Sequence, residues 1–538
     1  MGELKLIRPR SEPTISQAIE QVALHHGNRV AVAAEATEVT YSELIRLSTA
    51  FASGLVRAGL RAGDRVVLQL PNRWEFVPVL LGCMKAGVVP ALVLPTHRRH
   101  ELTRISGHIG AGALIVDGEA TGFDHVELAH QVQHEAPTIQ HVFVVGGDAD
   151  DDHDVHTLLA GDLTDLPEAA DPGQTAMFLM SSGTTGSPKV VPRTHRDYLY
   201  DVRHSAELAG LDSDAAYLAA LPLAHTFPLG CPGLLGALIT GGRCVVVPSP
   251  RPDLVFEAVR RHRVTVTAAV PTVVRRWLQE YNPEQWDLSS LRVLQVGGAR
   301  LSAALAALVG PVFGCEVQQV YGMSEGMLNF TRLADDPEIV QATQGRPFTP
   351  RDQIRIVDGN GQDVPTGETG ELLVRGPGIF GGYYRAPADN AAAFLDGWFR
   401  TGDLVRLHPS GNLVVEGRIK DVINRGGEKI SALEIEDLLH ELPEVDKVAV
   451  VAVADTEMGE RVCACVVPIV GAVVTVEGLS AALTRLGVAR YKHPEVLRLI
   501  SEIPLTGTGK IDKVALRNTA DRDAGPHQIR PSTGLVER

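Results

Sequence analysis

Met180-Ser-Ser-Gly-Thr-Thr-Gly-Ser-Pro-Lys189 is the most informative stretch of this chain. The apolar residues 176–180 before it predict a buried strand. Its glycines allow a turn whose successive N–H groups bind an anion, and its hydroxyl groups and lysine add donors and positive charge. A Ser/Gly-rich surface loop is the alternative, since the spacing differs from the G-x-x-x-x-G-K-[ST] phosphate loop. We expect a polyphosphate site formed by Ser181, Ser182, Gly183, Thr184, Thr185, Gly186 and Lys189.

The composition is typical of a globular protein with two or more domains. The chain has 538 residues, of which 44% are hydrophobic and 21% are charged. A formal net charge of -15 argues against a nucleic-acid or anionic-membrane partner. Because the sequence lacks a signal-peptide pattern and any apolar run of about 18 residues, we expect a cytoplasmic protein.

Six scattered cysteines form no C-x-x-C motif, so the sequence predicts no zinc or redox site. Cys463 and Cys465 alternate within an apolar run, which favours one buried face of a strand over a metal site. The acidic residues 147–173 are predicted to form a solvated connector, with a metal site as the alternative. The histidines near them are interpreted as surface residues.

Strand and helix patterns alternate from residue 14 to residue 321, which predicts an α/β fold with a largely parallel sheet. Capping-box spacings at Thr14 and Thr40 begin two of the helices. Ligands bind at the carboxyl ends of such strands, so loops 223–233, 271–272, 297–299 and 321–326 are expected to converge. The predicted strands are Val30–Ala34, Val66–Leu70, Val88–Val93, Ala113–Val116, Tyr217–Ala220, Cys244–Val247, Val264–Ala269, Val293–Val296 and Val317–Tyr321.

The pattern changes after Gln353 to short strands separated by Gly, Pro and Asp turns, which predicts a small β subdomain. A last segment of mixed α/β character follows, and residues 520–538 are predicted to be a disordered polar tail. Five motifs lie along the chain in the order Met180–Lys189, Tyr321-Gly-Met-Ser-Glu325, Thr401-Gly-Asp403, Gly417-Arg-Ile-Lys-Asp421 and Pro504-Leu-Thr-Gly-Thr-Gly-Lys510.

These motifs, in this order, resemble those of the adenylate-forming enzymes, the superfamily of acyl-CoA synthetases, nonribosomal-peptide adenylation domains and luciferases. The resemblance covers about residues 15–517. It implies a large N-terminal domain of layered α/β sheets plus a small β subdomain, residues 1–419. It also implies a small mobile α+β C-terminal lid domain, residues 420–519, with a hinge at Lys420.

The resemblance implies a reaction in which a carboxylate attacks the α-phosphorus of ATP, releasing pyrophosphate and leaving an acyl-adenylate. Such catalysis depends on positioning and on stabilising charge at the phosphate oxygens. ATP and Mg²⁺ are the implied cofactors. Glu325 matches the magnesium ligand, Asp403 the ribose ligand and Lys510 the catalytic lysine. The other implied ATP-binding residues are Gly298, Ala299, Val320, Tyr321, Gly322, Ser324 and Arg418. Of these, Gly298, Ala299, Val320 and Tyr321, together with Gly297, match the slot for the adenine ring.

Ala224-His-Thr-Phe-Pro-Leu-Gly-Cys-Pro-Gly233 is similar to the corresponding segment of the stand-alone aryl-acid-activating branch. Thr226 stands where that branch usually has Asn, which leaves the hydrogen bonds around the ring substituent open. The position of His225 implies a place near the carboxylate and the phosphates, and a core histidine is the alternative. The implied substrate-binding residues are Thr226, Phe227, Cys231, Gly297, Met323 and Leu328.

A serine at position 231 would bond a 3-hydroxyl on the ring, and a thiol is a poor partner for it. We therefore expect a salicylate-type acid over 2,3-dihydroxybenzoate, with simple packing of Cys231 as the alternative. A hydroxylated heteroaromatic acid such as 3-hydroxypicolinate or 3-hydroxyquinaldate also stays open. The expected acceptor is the phosphopantetheine thiol of a holo aryl carrier protein in siderophore or peptide biosynthesis. An aryl-CoA ligase is the alternative, and a non-catalytic nucleotide binder is a third.

Overall fold

The computed structural model describes residues 12–35, 37–119, 122–147, 152–163, 166–167, 170–181, 189–425, 428–455, 457–506 and 510–522. The chain divides into two compact units. The first reaches residue 401 and includes 406–414, and the second comprises 402–405 and the residues from 415 onward. The expected domain boundary at residue 419 stays a prediction.

A nine-stranded sheet carries most of the predicted ligand loops. Its central strands are parallel, and antiparallel strands close both edges. The predicted α/β fold with parallel strands is confirmed. In spatial order the strands are Arg346–Pro347, Gly326–Phe330, Glu316–Met323, Val293–Gly297, Val266–Ala269, Ala216–Ala219, Arg243–Val246, Val30–Ala34 and Thr37–Thr40.

A seven-stranded sheet forms a second layer, parallel except for the antiparallel pairing of its last two strands. Strand Ala113–Asp117 at its centre is buried along its whole length, because helices cover both faces of such a sheet. Every strand predicted from the sequence is present within two residues of its expected bounds. The spatial order is His153–Asp154, His141–Val145, Ala113–Asp117, Arg65–Gln69, Val89–Leu92, Thr175–Ser181 and Lys189–Thr194.

The prediction of a solvated connector across residues 147–173 is wrong for its middle part. His153–Asp154 adds the edge strand of the seven-stranded sheet, and a short helix, Val155–Ala160, follows. Asp154 caps that helix through the N–H groups of residues 156 and 157. Val155 and Leu159 are buried, so these two apolar side chains attach the acidic segment to the core.

Two helices of the first unit begin where their capping-box spacings predict them. The side chain of Thr14 accepts the N–H of Gln17 in a complete capping box, and the helix ends at Gly27. Thr40 accepts the N–H of Glu43 in the same way. The helices of this unit are Ile15–His26, Tyr41–Arg57, Phe76–Lys85, Arg99–Ile109, His125–Glu135, Val155–Ala160, His195–Leu208, Thr226–Gly230, Gly233–Ile239, Pro252–His262, Pro271–Glu280, Ala303–Phe313, Pro337–Ala342 and Pro387–Ala393.

The predicted small β subdomain is present as a five-stranded sheet. It consists of Gln353–Val357, Gly370–Arg375, Phe394–Leu395, Trp398–Leu407 and Leu413–Arg418. The chain passes between the two units within the last two of these strands. Among the helices that the structure describes, none combines the length and hydropathy needed to cross a membrane.

Among its described residues, the second unit contains a five-stranded sheet and three helices, which is the α+β pattern predicted for the C-terminal segment. Its strands are Val422–Arg425, Glu428–Ser431, Val445–Asp455, Gly459–Pro468 and Val496–Leu499. Its helices are Ala432–His440, Val476–Arg485 and Lys513–Arg522, with 3₁₀ turns at Ile419–Asp421 and Arg490–Lys492. The last helix extends to Arg522, three residues into the expected tail, and residues 523–538 lie outside the described residues.

Cys463 and Cys465 lie on one buried face of strand Gly459–Pro468, as predicted. The opposite face, which includes Val462 and Ala464, is buried as well. Glu436 joins the last helix to this sheet through Lys513, 2.7 Å away. The described residues hold no group of three or more His, Cys, Asp or Glu arranged for a metal ion.

Candidate active site

The predicted phosphate loop closes a β-hairpin of the seven-stranded sheet. Ser181 ends one strand and Lys189 begins the next, and the two residues pair in the antiparallel register. The Lys189 ammonium lies 2.7 Å from an Asp389 carboxylate oxygen and 4.7 Å from the centre of the Tyr383 ring. Ser182, Gly183, Thr184, Thr185 and Gly186 lie outside the described residues.

The predicted adenine slot lies at the carboxyl end of two neighbouring parallel strands. Gly297 ends one strand and pairs with Val320 on the next. Gly298 takes φ 81°, a left-handed conformation that suits glycine, and Ala299 follows it at the surface. The structure therefore brings Gly297, Gly298, Val320 and Tyr321 to one edge of the nine-stranded sheet.

The second motif forms a tight hairpin rather than the open loop expected after Tyr321. Strand Glu316–Met323 continues through Gly322 and turns back into Gly326–Phe330, so that Met323 pairs with Gly326. A Cβ atom at Gly322 would lie 2.3 Å from the Leu328 side chain, which shows how closely Leu328 covers this glycine. Two predicted ligand-binding residues thus contact each other across the hairpin.

Glu325 lies at the tip of this hairpin with only 8% of its surface exposed. The Tyr383 hydroxyl donates to its Oε1 at 2.9 Å, and the backbone N–H of Phe380 donates to its carbonyl oxygen at 2.8 Å. A carboxylate held in this way is a suitable ligand for Mg²⁺, which is bound through one or two carboxylates together with the phosphates of a substrate.

Sequence reasoning missed Arg193, a fully buried cation beside the predicted metal ligand. Its guanidinium donates to Asp197 and Asp201, each at 2.7 Å. It also donates to the carbonyl oxygens of Ser324 at 3.0 Å and Gly378 at 2.9 Å. Burial raises the pKa of the Asp201 carboxyl, and the charge of Arg193 opposes this shift. Arg193 thus connects the phosphate hairpin to the Glu325 hairpin.

The predicted substrate pocket centres on a short buried helix, Thr226–Gly230. The Phe227 ring lies against Gly297, where a Cβ would be 3.1 Å from the ring. The Thr226 hydroxyl lies 3.2 Å from the buried Tyr198 hydroxyl. Cys231 follows with 1% exposure, and burial raises the pKa of its thiol well above the usual range, so the thiol is protonated.

His225 is the N-cap residue of that helix, and its backbone is extended. It is half-buried, in contrast to the residues that follow it. The predicted role of His225 near the phosphates is compatible with this partial exposure, although it stays a prediction.

The remaining predicted site residues belong to the second unit. Asp403 is buried, and Arg418 donates to its Oδ1 from Nε at 2.7 Å. Lys420 lies in the 3₁₀ turn, where Arg517 donates to its carbonyl oxygen at 3.2 Å. The carbonyl oxygen of Lys510 accepts the Thr506 N–H at 2.7 Å.

The comparisons with known proteins agree with this geometry. Residues 19–384 match the model of the AMP-binding enzyme family, and residues 434–510 match the AMP-binding enzyme C-terminal domain. The chain belongs to the AMP-binding enzyme family. Its two matched regions make it an AMP-binding enzyme with both domains of that family.

This AMP-binding enzyme is 48% identical over 510 residues to a Streptomyces protein named salicylyl-CoA synthase / salicylate adenylyltransferase, covering 92% of this chain and 91% of the relative. It is 44% identical to the 2,3-dihydroxybenzoate-AMP ligase of Bacillus subtilis over 505 residues, covering 94% and 93%. The solved apo structure of Mycobacterium smegmatis MbtA matches with a TM-score of 0.73 and 43% identity, covering 94% of each chain.

The chemical groups that the described residues present are those expected of an AMP-binding enzyme. The first unit presents the Lys189 ammonium, the buried Glu325 carboxylate and a buried, uncharged helix, Thr226–Gly230. The second unit presents a buried Asp403 paired with Arg418. The groups of the first unit suit a nucleoside triphosphate and an aromatic carboxylic acid, the two reactants that adenylation requires.

Proposed function

We propose that this enzyme activates a salicylate-type aryl acid with ATP and releases pyrophosphate, and that it then transfers the aroyl group from aryl-AMP to a thiol, releasing AMP. The observation that carries the proposal is the character of the pocket. Thr226, Phe227 and Cys231 are buried and uncharged, and the Phe227 ring lies against the Gly297 backbone. An aromatic ring fits such a pocket, whereas the ammonium of an amino acid would lack a carboxylate partner among these residues.

In the proposed mechanism, Lys189 and the loop before it bind the β- and γ-phosphates. Ser324 and His225 lie beside the α-phosphate, where the acid carboxylate attacks. The new bond joins a carboxylate oxygen to the α-phosphorus, and the bond to pyrophosphate breaks. Catalysis then depends on holding the reactants in line and on stabilising the charge of the equatorial oxygens.

We assign nucleotide binding to residues from several of the motifs. Gly297, Gly298, Ala299, Val320, Tyr321 and Gly322 form the proposed adenine slot. Asp403 accepts the ribose hydroxyls, because a carboxylate has two acceptor oxygens, and Arg418 holds that carboxylate at 2.7 Å. Lys510, in the proposed lid of residues 420–519, bridges the acid carboxylate and the α-phosphate, and Lys420 acts as the hinge.

Mg²⁺ is the proposed metal, with Glu325 as its protein ligand. When bound, the ion neutralises charge on the phosphate oxygens of ATP. The contribution of this chain is to keep the Glu325 carboxylate fixed, and the hydrogen bond from Tyr383 at 2.9 Å does so.

A salicylate-type acid is preferred over 2,3-dihydroxybenzoate because the protonated Cys231 thiol is a poor partner for a 3-hydroxyl. An unpaired buried hydroxyl costs about 1–3 kcal/mol. Thr226, Met323 and Leu328 complete the proposed pocket. A hydroxylated heteroaromatic acid is the second candidate, because threonine leaves more space than the asparagine usual in this branch.

For the acceptor, we propose the phosphopantetheine thiol of an aryl carrier protein in siderophore or peptide biosynthesis. Free CoA is the second candidate, since the name of the Streptomyces relative includes a CoA synthase activity. Both ATP and carrier proteins are cytoplasmic, so we place the reaction there.

The test is pyrophosphate exchange measured with benzoate, salicylate, 6-methylsalicylate, 2,3-dihydroxybenzoate, 3-hydroxypicolinate and 3-hydroxyquinaldate. We expect the highest kcat/KM with salicylate or 6-methylsalicylate. Single-turnover transfer to a holo carrier protein and to free CoA then separates the two acceptors. Exchange that is independent of every aryl acid would refute the proposed function.

A further inference from the structure

Tyr383 lies between two elements of the proposed ATP site that belong to different sheets. Lys189 begins the last strand of the seven-stranded sheet, and Glu325 lies at a hairpin of the nine-stranded sheet. The Tyr383 hydroxyl donates to Glu325 at 2.9 Å, and its ring faces the Lys189 ammonium at 4.7 Å. One buried side chain therefore contacts both the predicted metal ligand and the predicted phosphate lysine.

The position of this side chain is fixed from its backbone outward. The side-chain amide of Asn390 accepts the N–H of Tyr383 at 2.7 Å and donates to its carbonyl oxygen at 2.9 Å. The Phe380 ring packs edge-on against the Tyr383 ring, with 4.9 Å between centroids. Phe380 also donates its N–H to the Glu325 carbonyl oxygen, so the backbone and side chain of Glu325 are held from the same segment.

We propose that Tyr383 is a positioning residue that holds the Glu325 carboxylate and the Lys189 ammonium in one fixed arrangement before ATP binds. This inference rests on the proposed function. A preformed pair lowers the ordering cost of binding, so the metal and the phosphates of one ATP molecule meet ligands already in place. Loss of the hydroxyl removes one hydrogen bond that orients the Glu325 carboxylate, and loss of the ring also removes the contact with the Lys189 ammonium.

The two contacts can be separated by substitution. Tyr383→Phe removes the hydrogen bond to Glu325 and keeps the ring against Lys189 and Phe380. Tyr383→Leu removes both contacts. A hydrogen bond to a charged group is stronger than a cation–π contact. We therefore expect loss of the hydrogen bond to weaken Mn²⁺ binding about 10-fold to 100-fold, and loss of the ring contact to weaken nucleotide binding about 2-fold to 5-fold.

The primary measurement is a titration of the full-length enzyme with Mn²⁺ in the presence of α,β-methylene-ATP and in the absence of aryl acid. Electron paramagnetic resonance reports the bound Mn²⁺. We expect Tyr383→Phe to weaken Mn²⁺ binding about 10-fold to 100-fold. In a Glu325→Gln background the same substitution should change Mn²⁺ binding less than 2-fold. Binding of the nucleotide without metal should weaken only in Tyr383→Leu.

Tyr200→Phe is the matched control, because the Tyr200 hydroxyl also donates to a carboxylate, that of Asp352, at 2.7 Å. We expect wild-type Mn²⁺ binding in that variant. The inference is overturned if Tyr383→Phe binds Mn²⁺ as the wild type does, or if its loss is equally large in the Glu325→Gln background. It is also overturned if the wild type binds no Mn²⁺–nucleotide.

The metal titration and the proposed function fail independently. The titration contains no aryl acid, so its outcome does not depend on which acid the enzyme activates. Absence of aryl-acid-dependent exchange in a wild type that binds Mn²⁺ and nucleotide would refute the proposed function and leave the role of Tyr383 intact.

Discussion

Arg193 donates a hydrogen bond from Nη1 to the carbonyl oxygen of Ser324, 3.0 Å away and 131 positions later in the sequence. Ser324 directly precedes Glu325, the proposed metal ligand. The same guanidinium balances two buried carboxylates, those of Asp197 and Asp201. The backbone at Ser324 therefore depends on a buried ion pair that lies outside every predicted motif.

We predict that Arg193→Met lowers the free energy of unfolding by about 3–5 kcal/mol, because it leaves Asp197 and Asp201 buried without their cation. Denaturant unfolding measures this loss. Arg276→Met is the control, since its ion pair with Glu280 is exposed and should contribute less than about 1 kcal/mol. Equal midpoints for the two variants would contradict the prediction.

The fold was largely predictable from the sequence because its strands are apolar runs bounded by turn residues, and both capping boxes are local patterns. The adenylation motifs are local as well. Arg193 and Tyr383 were not predictable, since nothing near Arg193 in the sequence indicates that it contacts Gly378, 185 positions away. The strand at His153–Asp154 was not predicted, because the sequence around it is acidic and only two apolar residues, Val155 and Leu159, attach this segment to the core.

Asp389 holds the Lys189 ammonium at 2.7 Å, where the proposed phosphates would compete with it. Both side chains are partly exposed, so the pair contributes up to about 1 kcal/mol. We predict that Asp389→Asn lowers the KM for ATP by about 2-fold to 5-fold in pyrophosphate exchange.

The control for Asp389 is Asp363→Asn, which breaks a comparable surface pair with Arg355 at 2.7 Å in the β subdomain. Its KM for ATP should equal that of the wild type. A KM that rises in Asp389→Asn would mean that Asp389 helps to position Lys189 instead of competing for it.

His195 makes the stability depend on pH. Burial lowers the pKa of this histidine to about 4 from its usual 6.5, against the raising effect of Asp197. The folded protein therefore binds this proton less readily than the unfolded chain. The contribution of His195 to the free energy of unfolding is fully present above pH 6.5 and is lost as the pH decreases toward 4. At pH 5 the loss is about 2 kcal/mol.

The substitution His195→Asn removes the titrating group and keeps an acceptor for the Ile15 N–H, which lies 3.4 Å from the histidine Nδ1. We expect the difference in unfolding free energy between pH 7 and pH 5 to be smaller in this variant than in the wild type. The carboxylates titrate in both proteins, so their effect on stability is the same in each and drops out of the comparison. An unchanged difference would show that His195 is not the group responsible.

Lys510 is predicted to act only in adenylate formation, because the proposed lid must rotate between the two half-reactions. Lys510→Ala should lower pyrophosphate exchange at least about 100-fold and leave thioester formation from supplied aryl-AMP largely intact. Lys492→Ala, which breaks a pair with Glu434 in the same unit, is the control and should retain both rates. Equal loss of both half-reactions in Lys510→Ala would refute the assignment.

Cys231→Ser tests how the enzyme selects its acid. The thiol is buried beside Thr226, whose hydroxyl lies 3.2 Å from that of Tyr198. A serine would offer a 3-hydroxyl on the ring the hydrogen bond that the thiol provides poorly. We expect kcat/KM for 2,3-dihydroxybenzoate relative to salicylate to rise about 5-fold to 150-fold, the equivalent of one buried hydroxyl regaining its partner.

The control is Cys244→Ser, which places the same hydroxyl at another buried thiol, on strand Arg243–Val246. It should lower the melting temperature without changing the ratio of the two acids. If the ratio is unchanged in Cys231→Ser, the thiol serves packing alone. A wild type that prefers 2,3-dihydroxybenzoate would also contradict this account, because the 3-hydroxyl would then have a partner other than residue 231.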